Sequence, residues 1–344
     1  MGVSCIPTME RKMDEINELV SILVVVRDEG NYIESCIDSI LKQTYSNFEV
    51  IIVDGLSSDD TKQKALRALD NDKNSVKFKI LDNQRKNLAA GWNLGINNCS
   101  GTFIVRLDAH AVIPKNFIER SVRKLTQIRK ADNQIVAVGG KLGIQCKCNS
   151  FVGQAILNLY NSPFGVGNAD YRFGRNQQLA DTIVYGLYHK SVFEKVGFFN
   201  ENLKRNQDLE FHGRLREKGY KLFFIPDITS TYFIREDIFK IVKKAFNDGF
   251  WCVRIFKYLS IRHITPFLFF LYILSLVFLS FLFQGTILIL FLIPLIIYFL
   301  LLFYINFKNF LQNEYSALLS FFLFPALHLA YGCGTLFGFL KKIH

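Results

Sequence analysis

The sequence predicts an α/β protein with a doubly wound sheet, followed by C-terminal transmembrane helices. Three observations carry this. Short β-branched runs alternate with helically spaced apolar residues from position 20 to 114. Charged and polar residues gather at the ends of those runs. Residues 264–307 contain no charged residue, enough for two spans of about 20 residues each.

Residues 21–26 (Ser-Ile-Leu-Val-Val-Val) and 48–53 (Phe-Glu-Val-Ile-Ile-Val) are near-continuous apolar runs, the pattern of strands buried on both faces of a parallel sheet. Between them, residues 32–43 carry Ile33, Ile37, Ile40 and Leu41 at helical spacing, which completes a β-α-β unit. A helix over 62–69, a strand over 76–81, a helix over 89–97 and a strand over 102–107 continue the alternation. Ligands in such sheets sit at the carboxyl ends of the strands. Those ends present Arg27, Asp28 and Glu29, then Asp54, then Asp108 and His110.

Strand side chains alternate faces, so Asp108 and His110 look one way while Ala109 looks the other. A hard oxygen beside an imidazole nitrogen makes half a site for a divalent cation, Mn2+ or Mg2+, which can hold a diphosphate. Arg106 shares that face, and a buried guanidinium needs an anion. Either a neighbouring carboxylate or a nucleotide diphosphate supplies it. Asp54 also has two readings: contact with ligand, or capping of the turn Gly55-Leu56-Ser57-Ser58. Asp59 or Asp60 caps the helix that starts near Thr61. No Gly-x-Gly-x-x-Gly follows the first strand, which argues against a dinucleotide-binding dehydrogenase and leaves a nucleotide to be held by side chains.

Residues 134–237 are α+β in texture, with a strand over 135–140, an amphipathic helix over 151–160 and a strand-like run over 183–188. The glycine-rich loop at 162–168 is a tight structural turn or a mobile lid. Asp208 opens an evident helix, where the dipole and free N–H groups favour a carboxylate; it is an N-cap or a general base for an attacking hydroxyl. Glu210 and Arg214, four apart, pair along that helix. His212, one turn after Asp208, either tunes it or is a solvated side chain, and the solvated reading is preferred.

In the last third, Gln284-Gly285 turns the hairpin within 264–307, and residues 315–340 form a further uncharged run broken by Pro325, Gly332, Gly334 and Gly338. This gives about three membrane segments, the last of which spans or re-enters, with His328 the one ionisable side chain inside them. Ahead of them, residues 238–260 mix Phe239, Val242, Phe246, Phe250, Trp251 and Phe256 with Lys240, Lys243, Lys244, Arg254 and Lys257. That composition suits a helix in the headgroup layer of a membrane; the other reading is a linker packed on the domain. The domains expected are an N-terminal extension (1–19), a catalytic domain (20–236), an interfacial amphipathic helix (237–263) and a transmembrane region (264–344).

The net charge of +11 comes without a nucleic-acid-binding pattern, so it points to anionic lipid and anionic substrates and not to nucleic acid. Seven cysteines, an odd number without Cys-x-x-Cys pairs, fit a reducing compartment. Residues 1–19 lack the apolar core of a secretory signal. The catalytic domain is therefore expected on the cytoplasmic side of the cell (inner) membrane.

The order of Arg27-Asp28-Glu29, Val53-Asp54-Gly55-Leu56-Ser57-Ser58-Asp59, Asp108-Ala109-His110 and Asn206-Gln207-Asp208 resembles family 2 glycosyltransferases of the GT-A fold. Val105-Arg106-Leu107-Asp108-Ala109-His110-Ala111, with Ser162-Pro163-Phe164-Gly165-Val166-Gly167 and Arg205-Asn206-Gln207-Asp208, is similar to the branch containing the succinoglycan-type exopolysaccharide glucosyltransferase. The resemblance covers residues 20 to 235 and implies a doubly wound mixed sheet of the nucleotide-diphospho-sugar transferase type. It further implies a sugar-nucleotide donor, usually UDP-linked, with Asp54 near the base, Asp108 in the metal motif and Asp208 as the base of an inverting displacement.

The site expected is Asp208 for catalysis; Arg27, Glu29, Asp54, Arg85, Arg106 and Asp108 for the nucleotide sugar; Asp108 and His110 for the divalent metal; and Gln207, Asp181, Gly165 and Gly167 on the acceptor side. His110 stands where the family's metal motif usually ends in Asp, and Gln207-Asp208 stands where many members have Glu-Asp. No Gln-x-x-Arg-Trp follows, which disfavours a processive synthase. The activity expected is metal-dependent transfer of a hexose, glucose in the resembled branch, from a UDP-sugar to a polyprenyl-diphosphate-linked saccharide at the membrane. Its rivals are a polyprenyl-phosphate sugar synthase and a catalytically degenerate membrane scaffold.

Overall fold

The apolar runs at the start of the chain do lie side by side. The structure, a computed structural model, describes residues 17–72, 76–148, 150–282, 286–311 and 315–342. It begins with β1 (Val20–Val26), α1 (Ile33–Leu41), β2 (Phe48–Asp54), α2 (Thr61–Asp70), β3 (Lys77–Asp82), α3 (Leu88–Asn98) and β4 (Phe103–Asp108). These four strands are parallel in the order β3-β2-β1-β4. Register puts Val26 beside Asp54 and Val25 beside Asp108, so their carboxyl ends form one level edge.

The chain continues through β5 (Ala111–Val112), α4 (Phe117–Ala131), β6 (Ile135–Gln145), α5 (Phe151–Tyr160), α6 (Pro163–Val166), α7 (Asp170–Phe173), β7 (Gln178–Ala180), β8 (Leu187–His189), α8 (Ser191–Val196), α9 (Gln207–Glu217) and β9 (Lys221–Phe233). Antiparallel β8 joins β4 to β6, and the sheet runs β3-β2-β1-β4-β8-β6-β9-β5 with β7 on β9. The sheet is therefore mixed. The strand expected over 183–188 is confined to Leu187–His189, because Tyr185 takes a left-handed backbone with φ 47° and turns the chain.

Alternation along β1 sends Ile22, Val24 and Val26 to one core and Leu23 and Val25 to another. The first core is closed by Ile33, Ile37 and Ile40 of α1, Ala65 and Leu69 of α2, and Ile118, Val122 and Leu125 of α4. The second is closed by Trp92 and Ile96 of α3, Phe193 of α8, and Phe211 and Leu215 of α9. Burial on both faces explains the uninterrupted apolar strands.

After β9 come α10 (Ile238–Cys252), a 3-10 turn (Val253–Tyr258), α11 (Ile261–Leu282), α12 (Thr286–Leu311) and α13 (Ala317–Lys342). The last three are long and apolar enough to cross a membrane. The expected Gln284-Gly285 turn and residues 1–16 lie outside the described residues. A third core joins Ala155, Ile156 and Leu159 of α5 with Ile234, Ile241, Leu302, Leu323, Phe324 and Leu327, so the membrane helices pack directly on the catalytic domain. The helix expected through 238–260 ends at Cys252. It lies along α13, with Gly249 against the Tyr331 carbonyl and Gly334 and Gly338 against those of Phe246 and Phe250. Its other side exposes Phe239, Lys240 and Lys243.

Candidate functional site

A cleft of about 1000 Å³ opens at the level edge of β1 and β4 and extends to the membrane helices. At its β-sheet end, Arg27 and Glu29 follow β1, Asp108 ends β4 and His110 follows it. Glu29 is buried and hydrogen-bonded by the Arg235 guanidinium. Its carboxylate also lies 3.7 Å from Nδ1 of His110. The His110 ring packs edge-on against Tyr232 (centroids 4.6 Å) and Tyr32 (6.1 Å). Asp108 accepts a hydrogen bond of 3.1 Å from the Tyr185 hydroxyl. Burial first, and the Asp108 charge second, push that phenol well above its ordinary range, so Tyr185 stays a proton donor.

Nδ1 of His110 is shut off from solvent and has no hydrogen-bond partner. A ring nitrogen without a hydrogen bond, set among carboxylates, is chemically able to serve as a ligand atom. Among the described residues, no group of three His, Cys, Asp or Glu side chains could hold a metal ion. Asp108 and His110 thus fit a divalent cation held jointly with the oxygens of an anionic ligand, a common arrangement where a cation meets substrate phosphates.

Farther along the cleft, Asp208 is the second residue of α9. Asn206, left-handed at φ 61°, occupies the cap position and makes no side-chain cap bond; its amide reaches the Asp248 carbonyl at 3.1 Å. Asp208 is therefore not the N-cap. One of its oxygens lies 3.7 Å from Arg106 Nη2. Arg106 is buried, with its guanidinium 3.7 Å over the Trp92 ring and 5.5 Å from that of Phe199. Asp208 is the carboxylate that faces Nη2 of Arg106, while Nη1 is buried without a hydrogen-bond partner.

His212 corrects the sequence reading. It is fully buried, bonded through Nδ1 to the Thr182 hydroxyl (2.8 Å) and through Nε2 to that of Tyr188 (2.7 Å). Burial pushes its pKa down to about 3, so it is neutral. The expected pair of Arg214 with Glu210 forms at 2.6 Å.

The other expected residues divide. Gln207, Gly165 and Gly167 line the cleft; Gln207 is buried and bonds the Leu203 carbonyl at 2.9 Å. Asp54 is buried beneath the turn, accepting from the Ser57 N–H (3.0 Å) and hydroxyl (2.5 Å); Gly55, not Asp54, forms the wall. Asp59 accepts from the Thr61 and Gly30 N–H groups. Arg85 is exposed and pairs with Glu201, leaving Lys86 to face the cleft. Asp181 is held by Arg262 of α11 at 2.6 Å.

The glycine-rich loop lines the cleft and is packed against the membrane helices. Nε2 of His328 donates to the Phe164 carbonyl at 3.0 Å, and the Phe164 ring packs on Tyr298 and Phe324. A Cβ on Gly165 would meet the Leu159 carbonyl at 2.3 Å. Sequence reasoning did not place Trp92, Arg172, Arg205, Lys244, Asp248 or Arg262 in the cleft, although all line it. His328 alone carried a signal, as the one ionisable group in an apolar run.

Residues 21–197 match the family model for glycosyl transferase family 2. A dolichyl N-acetyl-alpha-D-glucosaminyl phosphate 3-beta-D-2,3-diacetamido-2,3-dideoxy-beta-D-glucuronosyltransferase of Methanococcus voltae is 28% identical over 234 residues, covering 67% of this chain and 71% of its own. The succinoglycan biosynthesis protein ExoA of Rhizobium meliloti (strain 1021) is 26% identical over 240 residues, covering 69% and 70%. Among solved structures, the mannosyltransferase PcManGT from Pyrobaculum calidifontis, in complex with GDP-Man and Mn2+, superposes with a TM-score of 0.60 at 16% identity, covering 88% of this chain and 85% of that one. That likeness concerns the fold, which is GT-A in the first two thirds. With more than half of its residues matched by the family model, the chain belongs to glycosyl transferase family 2.

Proposed function

We propose that the protein is an inverting, metal-dependent glycosyltransferase that moves a hexose, glucose for preference, from a UDP-sugar to a lipid-linked saccharide on the cytoplasmic face of the cell membrane. One observation carries this reading: Asp108, His110 and Asp208 share a cleft whose far wall is made by α11, α12 and α13. An acceptor delivered from lipid reaches such a site without leaving the membrane. The names of the two relatives support it, since one acts on a dolichyl-linked N-acetylglucosaminyl phosphate and the other serves succinoglycan biosynthesis.

In this reading Asp208 takes the proton of the attacking hydroxyl. Arg106 holds its carboxylate in place from below, and Trp92 fixes Arg106. Asp108 and His110 would hold the divalent cation, which when bound would supply charge neutralisation for the departing diphosphate. Arg27, Glu29 and Lys86 flank the nucleotide end of the cleft.

The test is a screen of UDP-sugars with membranes carrying the protein, with mass spectrometry of the lipid product and NMR of its anomeric configuration. Asp208→Asn should lower turnover by about two to four orders of magnitude and leave nucleotide affinity nearly unchanged. A mutant within a few fold of wild type would favour a polyprenyl-phosphate acceptor, which needs no deprotonation. Chelation should abolish transfer. Because an imidazole ligand suits transition metals, Mn2+ should restore it better than Mg2+; His110→Asp should narrow that difference, and Asp108→Ala should abolish activity. Failure to use any sugar nucleotide would leave the degenerate scaffold as the reading.

A further inference from the structure

Arg172 of α7 lines the cleft, yet its Nε and Nη1 are shut off from solvent and have no hydrogen-bond partner. Its neighbours are aromatic, with the guanidinium 5.1 Å from the Tyr160 ring and 5.3 Å from that of Tyr171. Among the described residues it forms no ion pair, and the nearby Asp170 carboxylate is bonded by the Gln178 amide at 2.7 Å. Guanidinium N–H groups withdrawn from water with nothing to bind are costly, so the site is incomplete without an anion.

Two further cations line the same cleft. Arg205 and Lys244 both bind Asp248, each at 2.7 Å. Three cations against one carboxylate leave a surplus of two positive charges. Arg172 lies over the Tyr160 ring, and Lys244 holds its proton more tightly than usual because, against burial, the Asp248 carboxylate first and Tyr160 second favour its charge. Tyr160 sits on α5, Arg172 on α7, Lys244 on α10 and Arg205 in the loop before α9, and α5 and α10 pack on α13. The surplus charge therefore lies toward the membrane helices, away from Arg27 and Lys86 at the ends of β1 and β3.

We propose that Arg172, Arg205 and Lys244, with the Tyr160 hydroxyl, form a second phosphate subsite that grips the phosphate or diphosphate joining the acceptor's saccharide to its lipid. This rests on the lipid-linked acceptor proposed above. The subsite fixes the acceptor by its charged link, so that the sugar hydroxyl lies at Asp208 and the chain runs out along α11 and α13. It selects the lipid anchor without reading the sugar.

The same chemistry would also suit the donor's diphosphate, and the experiment separates the two. Full-length protein in detergent is titrated with farnesyl diphosphate, with farnesol and with UDP. Farnesyl diphosphate should bind and farnesol should not. Arg172→Met and Lys244→Met should each weaken farnesyl diphosphate about tenfold or more, the scale of a lost charge-assisted bond. Their UDP affinity should change less than about threefold. Arg172→Lys, which keeps the charge and loses the fork, should fall between, and it decides the matter if the methionine variant does not fold. Wild-type affinity in the variants, equal binding of farnesol, or equal loss of UDP would each overturn the subsite. Formation of lipid-linked product by membranes is scored separately. If product forms while farnesyl diphosphate binding ignores Arg172, the subsite fails and the lipid-acceptor reading stands. If binding depends on Arg172 but no sugar nucleotide gives lipid product, that reading fails and the subsite stands.

Discussion

Arg106 and His212 show how far a single residue can be read before the fold is known. Strand alternation marks Arg106 as a buried cation, and the folded chain agrees; its partner, Asp208, was out of reach because only long-range folding brings α9 over β4. His212 misleads for the opposite reason. A histidine on a helix rich in charge reads as solvated, but α9 is buried on more than one side, with Gln207, Phe211, His212 and Leu215 all inside. The consequence is a pH dependence with a defined sign. Burial pushes native His212 down to about 3, while an unfolded histidine titrates near 6.5. Between those values the unfolded chain binds a proton that the native chain refuses, so this contribution to stability is complete above about pH 6.5 and falls as the pH drops toward 3. The apparent melting temperature in detergent should therefore decrease from pH 7.5 to pH 5. His212→Gln should be less stable at pH 7.5 by about 1–3 kcal/mol, because the Thr182 and Tyr188 hydroxyls lose their shared partner. It should also show a shallower pH slope. Equal slopes in the two proteins would assign the effect to other groups.

At the scale of elements, the parallel half of the sheet was legible because β1, β2 and β4 are buried on both faces and so are apolar at most positions. The other half was not. β9 carries Pro226 and pairs with β6 through register shifts, and β8 is three residues long; such strands lack the length or regularity that a period requires. The packing of α10 was hidden too. Its mixed composition suits a membrane surface, but apart from Gly249 the glycines at its contact with α13 lie far along the chain. A Cβ at Gly334 would stand 2.0 Å from the Phe246 carbonyl oxygen, and one at Gly338 2.4 Å from that of Phe250. Backbone cannot yield as a flexible side chain does. Gly334→Leu should therefore separate α10 from α13, at a cost of about 1–3 kcal/mol or more, and lower the melting temperature and the yield of monodisperse protein. Gly143→Ala, whose Cβ would meet its nearest atom at 3.5 Å, serves as the tolerated control. If Gly334→Leu melts with wild type, α10 is not held by this contact.

For the whole molecule, composition alone divides a catalytic part from a membrane part, but it does not say whether the second serves the first. The third core answers that in physical terms. Ala155, Ile156, Leu159 and Ile234 of the catalytic domain are buried against Leu302, Leu323, Phe324 and Leu327, and a fully buried side chain of this size is worth about 1.5–3 kcal/mol. The cleft depends on the same junction. Lys244 and Asp248 come from α10, Arg262 from α11, and the Phe164 loop is tied to His328 of α13. A chain cut after Asp237 loses those side chains and leaves an apolar face open, so it should aggregate unless detergent covers that face. In detergent its monomeric fraction should still bind nucleotide, because Arg27, Glu29 and Asp108 lie on the retained sheet. It should not transfer sugar to a lipid-linked acceptor, even when acceptor and enzyme share a micelle and tethering no longer matters. Supplying the acceptor this way separates anchoring from site building. A truncated chain that is monodisperse without detergent and matches the full-length rate in mixed micelles would make α10 to α13 mere tethers, and would remove the membrane wall from the active site.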